Sequence, residues 1–248
     1  MPAPSAPGVT QSATITGLKP RITHWFAVKS RDIAGNWSVI DTSLPEPTTT
    51  AGSFVLAQEP AGAAGPSNGV AWGDYDNDGD LDLVVGGTDN GANYRLRVYR
   101  NDAGNFVQVA EPAGATGPGQ GLAWGDLDRD GDLDIVAGGY DGASYRLRVY
   151  RNDGGSTFNL LQEPAGAGGA GEGASWGDYD NDGDLDLAAG GNEGSGFYRL
   201  RIYRNDANTF NLAQEPAGAT GPGQEVAWGD YDNDGDLDLA SGGYDGVG

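Results

Sequence analysis

One interval governs this chain: from residue 53 onward, a unit of 52 residues repeats. Trp72, Trp124, Trp176 and Trp228 mark it, and Phe54, Phe106, Phe158 and Phe210 mark it again at another place in each unit. Two independent markers sharing one period identify a tandem array. Each unit of such an array cannot bury its apolar face alone and must stack on its neighbours.

Within a unit the apolar pattern alternates with period two and is broken by Gly, Pro, Asn and Asp, with no 3.6-residue periodicity. In the first copy the strand signals fall at residues 69–72, 81–85, 94–99 and 106–110. Length changes are confined to turns: the second copy is one residue shorter before Tyr145 and one longer before Phe158, so the period survives. Four short antiparallel strands per unit predict an all-β fold, a β-propeller built from 52-residue four-stranded blades, with under four blades encoded. The third strand carries Arg95, Arg97 and Arg100, which recur as Arg146, Arg148, Arg151 and Arg199, Arg201, Arg204. Alternation with Tyr94, Leu96 and Val98 places the apolar face between blades and the Arg stems on the other. The repeated tryptophans, lying between the first strand and the loop that follows, are expected between blades.

The net charge of −22 would suggest disorder if it were dispersed, but it is concentrated. Residues 74–82, 126–134, 178–186 and 230–238 each hold five Asp, and with Arg129 these loops account for −19. Anionic clusters this dense call for a cation at each. The strongly negative field excludes nucleic acid as a partner, Arg-bearing strands notwithstanding.

Each loop reads D-x-D-x-D-G-D-L-D. Positions one, three and five put three carboxylates on one side of a curled backbone, and the glycine at six permits the turn. Position seven offers a carbonyl, and position nine closes the shell from the start of the next strand. Six or so hard oxygen donors suit calcium. An EF-hand is excluded because position twelve carries Val85, Ala137, Ala189 and Ser241 instead of Glu. The expected metal residues are therefore Asp74, Asp76, Asp78, Asp80 and Asp82; Asp126, Asp128, Asp130, Asp132 and Asp134; Asp178, Asp180, Asp182, Asp184 and Asp186; and Asp230, Asp232, Asp234, Asp236 and Asp238. One Ca2+ per loop gives up to four.

The run W-G-D-Y-D-N-D-G-D-L-D-L followed by Gly-Gly resembles the FG-GAP/VCBS repeat of integrin-α-like β-propellers, and the resemblance spans residues 53–248. It implies calcium ligation by the side chains at positions one, three, five and nine. Position seven, at Asp80, Asp132, Asp184 and Asp236, is implied to contribute its backbone oxygen. It also implies an extracellular, secreted or cell-surface module for adhesion or ligand binding, in a family whose rings usually close with seven blades. The alternative is a carbohydrate-binding accessory module of a secreted polysaccharide-degrading enzyme.

Residues 1–43 differ in kind. Thr14-Ile15-Thr16-Gly17-Leu18-Lys19-Pro20, His24-Trp25-Phe26-Ala27-Val28-Lys29-Ser30 and Ala34-Gly35-Asn36-Trp37-Ser38 resemble the later half of a fibronectin type III β-sandwich, with His24 at the aromatic corner position. Residues 44–52 read as a Pro/Thr-rich linker. Missing early strands at one end, and a last unit that stops where the Arg-bearing strand begins, predict a fragment of a larger parent chain.

Antiparallel connectivity puts the Asp loops on one rim and leaves the opposite rim free of metal. There, residues 88–93, 140–144 and 192–197, with Tyr140, Phe197 and Tyr244, are expected to meet an extracellular protein or a polysaccharide. No catalytic residue is expected: the one histidine is His24, cysteine is absent, and a carboxylate beside a divalent cation cannot serve as a raised-pKa acid. No apolar run is long enough for membrane insertion, and an export signal is expected to lie outside this sequence.

Overall fold

The computed structural model describes residues 56–60, 67–88, 94–112, 119–140, 144–165, 173–192, 198–216 and 225–242. Chain contacts divide it into Met1–Val55 and Leu56–Gly248, and every described residue belongs to the second unit. The fibronectin-like segment and its linker therefore lie outside the described residues. So do residues 89–93, 141–143 and 193–197 of the segments expected to form the ligand rim, with the side chains of Tyr140, Phe197 and Tyr244.

The described residues are all strand and turn, with no helix among them. The first blade comprises β1 (Ser67–Gly73), β2 (Asp82–Thr88), β3 (Tyr94–Asp102) and β4 (Asn105–Ala110). The second comprises β5 (Gly119–Gly125), β6 (Asp134–Tyr140), β7 (Tyr145–Asn152) and β8 (Phe158–Gln162). The third holds β9 (Gly173–Gly177), β10 (Asp186–Asn192), β11 (Tyr198–Asn205) and β12 (Phe210–Gln214), and the fourth shows β13 (Glu225–Gly229) and β14 (Asp238–Gly242). Each sheet is an antiparallel meander in chain order. The first strands of successive blades, β1, β5, β9 and β13, pack on one another. This is the arrangement of propeller blades around an inner edge, left open at both ends among the described residues. A register shift recurs at one repeat position, between Val98 and Tyr99, Val149 and Tyr150, and Ile202 and Tyr203. Such bulges sharpen the twist of the outer strand.

The apolar cores lie between blades. Tyr75, Val84, Leu96 and Val98 of the first blade close on Ile135, Tyr150 and Phe158 of the second. Leu127, Val136, Leu147 and Val149 meet Leu187, Ala189, Tyr203 and Phe210 of the third, and Ala188 and Leu200 meet Val226 of the fourth. A middle blade is therefore covered on both faces, and the Arg-bearing face is not left to water. Arg148 and Arg201 are buried, each held by the Glu that follows the fourth strand: Arg148 Nε to Glu163 at 2.7 Å and Arg201 Nε to Glu215 at 2.7 Å. Arg97 and Glu111 form the equivalent pair in the first blade, Nε to carboxylate at 3.6 Å.

The seam itself is built by Trp124, Trp176 and Trp228, which lie between blades as expected, whereas Trp72 is 57% exposed. Trp124, Trp176 and Trp228 each donate the indole N–H to a carbonyl on the preceding blade, at Ala71 (3.2 Å), Ala123 (3.4 Å) and Ser175 (3.1 Å). The ring lies flat on the glycine two residues further on. A Cβ on Gly73, Gly125 or Gly177 would stand 2.7, 2.7 or 2.6 Å from the incoming indole. That contact explains the Trp-Gly dipeptide: the second and third blades each supply one ring and receive another.

Candidate metal centre

Every Asp loop leaves the inner strand of its blade and returns at position nine, the first residue of the second strand, at Asp82, Asp134, Asp186 and Asp238. The curl needs two left-handed residues. Position six is glycine in all four copies, with φ between 94° and 97°, and position four adopts φ of 59–61° at Asn77, Arg129, Asn181 and Asn233. Asparagine tolerates that region, so Arg129 is the departure. Its guanidinium reaches Asp184 of the next loop at 2.8 Å. The asparagines make the same crossing, Asn77 to the Gly131 carbonyl (2.8 Å) and Asn181 to Asp236 (2.9 Å).

The curled loops bring carboxylates together. One oxygen from each of Asp74, Asp76 and Asp78 lies within 4.8 Å of the others, and so it is for Asp230, Asp232 and Asp234. In the second and third loops the converging trio uses position nine instead: Asp126, Asp128 and Asp134, then Asp178, Asp180 and Asp186. Ligands on opposite sides of a calcium ion, each ~2.4 Å away, stand about 4.8 Å apart, so the spacing is that of one coordination shell.

The remaining carboxylate contacts shape the loop. At position one, Asp74, Asp126, Asp178 and Asp230 accept the N–H of the position-six glycine at 2.9–3.1 Å. Position five, at Asp78, Asp130, Asp182 and Asp234, accepts the position-seven amide at 2.8–3.0 Å. Position-seven side chains turn away from the cluster: Asp80 accepts the Ala103 amide at 3.0 Å, and Asp184 and Asp236 take the cross-loop contacts already described. Asp132 faces the β7–β8 turn, 3.7 Å from where a Cβ on Gly154 would stand.

Position nine joins three segments. Asp82, Asp134 and Asp186 are fully buried, and each accepts two backbone amides. One belongs to loop position two (Tyr75, Leu127, Tyr179) and the other to an asparagine at the end of the third strand (Asn101, Asn152, Asn205), all at 2.8–3.1 Å. Asp238 keeps the first of these, from Tyr231 at 3.1 Å. The asparagines were missed in the sequence, although Arg-Asn recurs with the period. Their side chains donate to the position-eight carbonyl of their own loop, and Asn152 and Asn205 also reach the position-two carbonyl of the preceding blade.

Do these residues fit a cation? Asp126 Oδ1, Asp128 Oδ1 and Asp178 Oδ1 are buried and hydrogen-bonded to nothing. Buried carboxylate oxygens are costly unless a positive partner satisfies them, so orphans on residues of these trios match a hard divalent ion. Burial sets the same tension on the carboxyl protons. Asp134 is pushed up to about 7, chiefly by burial and with help from the Asp128 and Asp130 charges, while the Asn152 and Leu127 amides oppose the shift. Asp186 rises to about 6 for the same reasons, and burial raises Asp76, Asp82 and Asp128 as well. Where the ion binds, it would be held by positions one, three, five and nine, and it would supply the positive charge that keeps these groups ionised.

Four-stranded antiparallel blades, stacked through their inner strands and each carrying an acidic loop between its first and second strands, define a β-propeller repeat protein. A family model for the FG-GAP-like repeat matches residues 74–137, 126–189 and 178–241, overlapping from one loop to the next. The chain belongs to the FG-GAP-like repeat family. A search of the curated proteins returns no match.

Proposed function

We propose that this chain is a calcium-stabilised extracellular β-propeller module that binds or presents a ligand in adhesion and has no catalytic role of its own. The observation that carries the calcium reading is that Asp126 and Asp128 in one loop and Asp178 in the next each hold a buried, unpartnered carboxylate oxygen and belong to trios of ligand spacing. Family membership supports the rest, since FG-GAP repeats are typically non-catalytic parts of extracellular proteins. Extracellular calcium sites of this ligand class bind at ~0.1–1 mM, which suits a calcium-rich exterior. Binding only to the folded state adds about 2.7 kcal/mol per site at a hundredfold excess over Kd. The ligand itself, an extracellular protein or a polysaccharide, is assigned to the rim opposite the Asp loops.

Calorimetric titration of chelator-stripped protein tests the metal reading. Calcium should bind with heat and raise the melting temperature, and Asp128→Asn should remove one site. Absence of both heat and melting shift in the parent chain would refute it.

A further inference from the structure

The four acidic loops hold a single cation, Arg129, at position four of the second loop, where the other three carry asparagine. Counted along the sequence, its charge belongs to the second loop, which sets five Asp against one Arg, while the third holds five Asp unopposed. The structure moves that charge. Arg129 Nη2 lies 2.8 Å from Asp184 Oδ1, in the third loop. A second observation fixes where the rest of the group sits. A Cβ on Gly183 would stand 2.5 Å from Arg129 Nη2, 3.1 Å from Cζ and 3.2 Å from Nη1, so the guanidinium lies across position six of the third loop.

The other crossings from position four are made by neutral side chains. Asn77 reaches the Gly131 carbonyl and Asn181 reaches Asp236, and a Cβ on the glycine of either receiving loop, Gly131 or Gly235, would meet nothing within 4 Å. An asparagine thus leaves the receiving glycine open, whereas the arginine lays a planar cation over two consecutive residues. Those two are position six, the pivot of the curl, and position seven, the residue whose backbone oxygen the repeat is expected to offer to the ion. The same Asp184 is bound within its own loop, where its amide donates to Asp182 at 2.9 Å. The guanidinium is therefore anchored on the third metal loop itself.

We propose that Arg129 sets the calcium affinity of the third site and not that of the second, in whose loop it lies. The inference rests on the calcium reading above and adds to it which site this charge governs. A guanidinium held on the third loop opposes the approach of a divalent cation to Asp178, Asp180, Asp182 and Asp186. Its pairing with Asp184 also removes one carboxylate from the field that draws the ion in. A unit positive charge acting on a doubly charged ion across about one screening length lowers affinity by about two- to fivefold at physiological ionic strength. The third site therefore fills at higher calcium than its own residues would set, which widens the calcium range over which the array loads.

Calcium titration of the isotope-labelled whole chain tests this, followed by NMR at the backbone amides of Gly131 and Gly183, which report the second and third loops separately. Arg129→Asn supplies the residue that the other loops carry at this left-handed position and should fold as the parent does. It should lower the calcium midpoint at Gly183 by about two- to fivefold and move that at Gly131 less. Arg129→Lys keeps the charge and should stay closer to the parent at Gly183 than Arg129→Asn does. At about 1 M salt, where screening acts within about 3 Å, the parent and Arg129→Asn should coincide at Gly183. The proposal is overturned if the Gly131 midpoint moves more than that of Gly183, if neither moves at low salt, or if Arg129→Asn weakens binding at Gly183. A parent chain in which neither amide responds to calcium would refute the calcium reading itself, and this inference with it.

Discussion

Substituting Gly125 by alanine tests whether blades are joined by an indole seated on bare backbone. The new Cβ would lie 2.7 Å from Trp176 Cδ1, 2.9 Å from Cγ and 3.0 Å from Nε1. Ordinary carbon contacts need about 3.5–4.0 Å, so the ring must retreat by roughly 1 Å. Overpacking of this size costs about 1–3 kcal/mol. The retreat also breaks the Trp176 hydrogen bond to the Ala123 carbonyl, already 3.4 Å long, for about another 1 kcal/mol. Loss of glycine's freedom in the unfolded chain returns about 0.4–1 kcal/mol. The net expectation is a loss of about 1–3 kcal/mol, or roughly 3–10 °C in melting temperature for a unit of this size. Thermal melts in saturating calcium, followed by near-ultraviolet circular dichroism of the tryptophans, measure it. Gly229→Ala is the internal control: with nothing within 4 Å, it should melt no lower than the parent. Equal melting temperatures for Gly125→Ala and Gly229→Ala would show that the indole does not rest on this glycine.

Two further outcomes follow from the buried polar groups. Asp134 and Asp186 are acids raised on folding, to about 7 and about 6 from 3.8, so without a cation the folded chain binds protons more tightly than the unfolded one. Their stabilising contribution is full below pH 3.8 and lost as pH rises through 6 to 7. Melting temperature in chelator should therefore fall across that window, and calcium, which binds the ionised form, should abolish the fall. Asn205→Ala removes a fully buried side chain that donates to the Leu185 and Leu127 carbonyls and accepts the Asn208 amide. Urea denaturation should show a loss of about 2–4 kcal/mol, since the abandoned partners are left without bonds.

The 52-residue period, the four strands of each blade and the acidic loops are local properties, and the sequence alone sufficed for them. Alternation, turn residues and the D-x-D-x-D-G spacing are fixed within a few neighbours along the chain, and the backbone curl they encode brings positions one, three and five or nine together. Tertiary structure decided everything that depends on how one blade is rotated against the next. The indole of Trp176 on Gly125, the reach of Asn205 to the Leu127 carbonyl and the Arg129–Asp184 pair join residues 51, 78 and 55 positions apart. The Arg201–Glu215 clamp spans fewer residues, yet the burial of Arg201 within it is again a property of the packed blades. No local pattern records that rotation: a glycine beside a tryptophan reads as a turn signal until the adjoining blade shows which ring must lie on it.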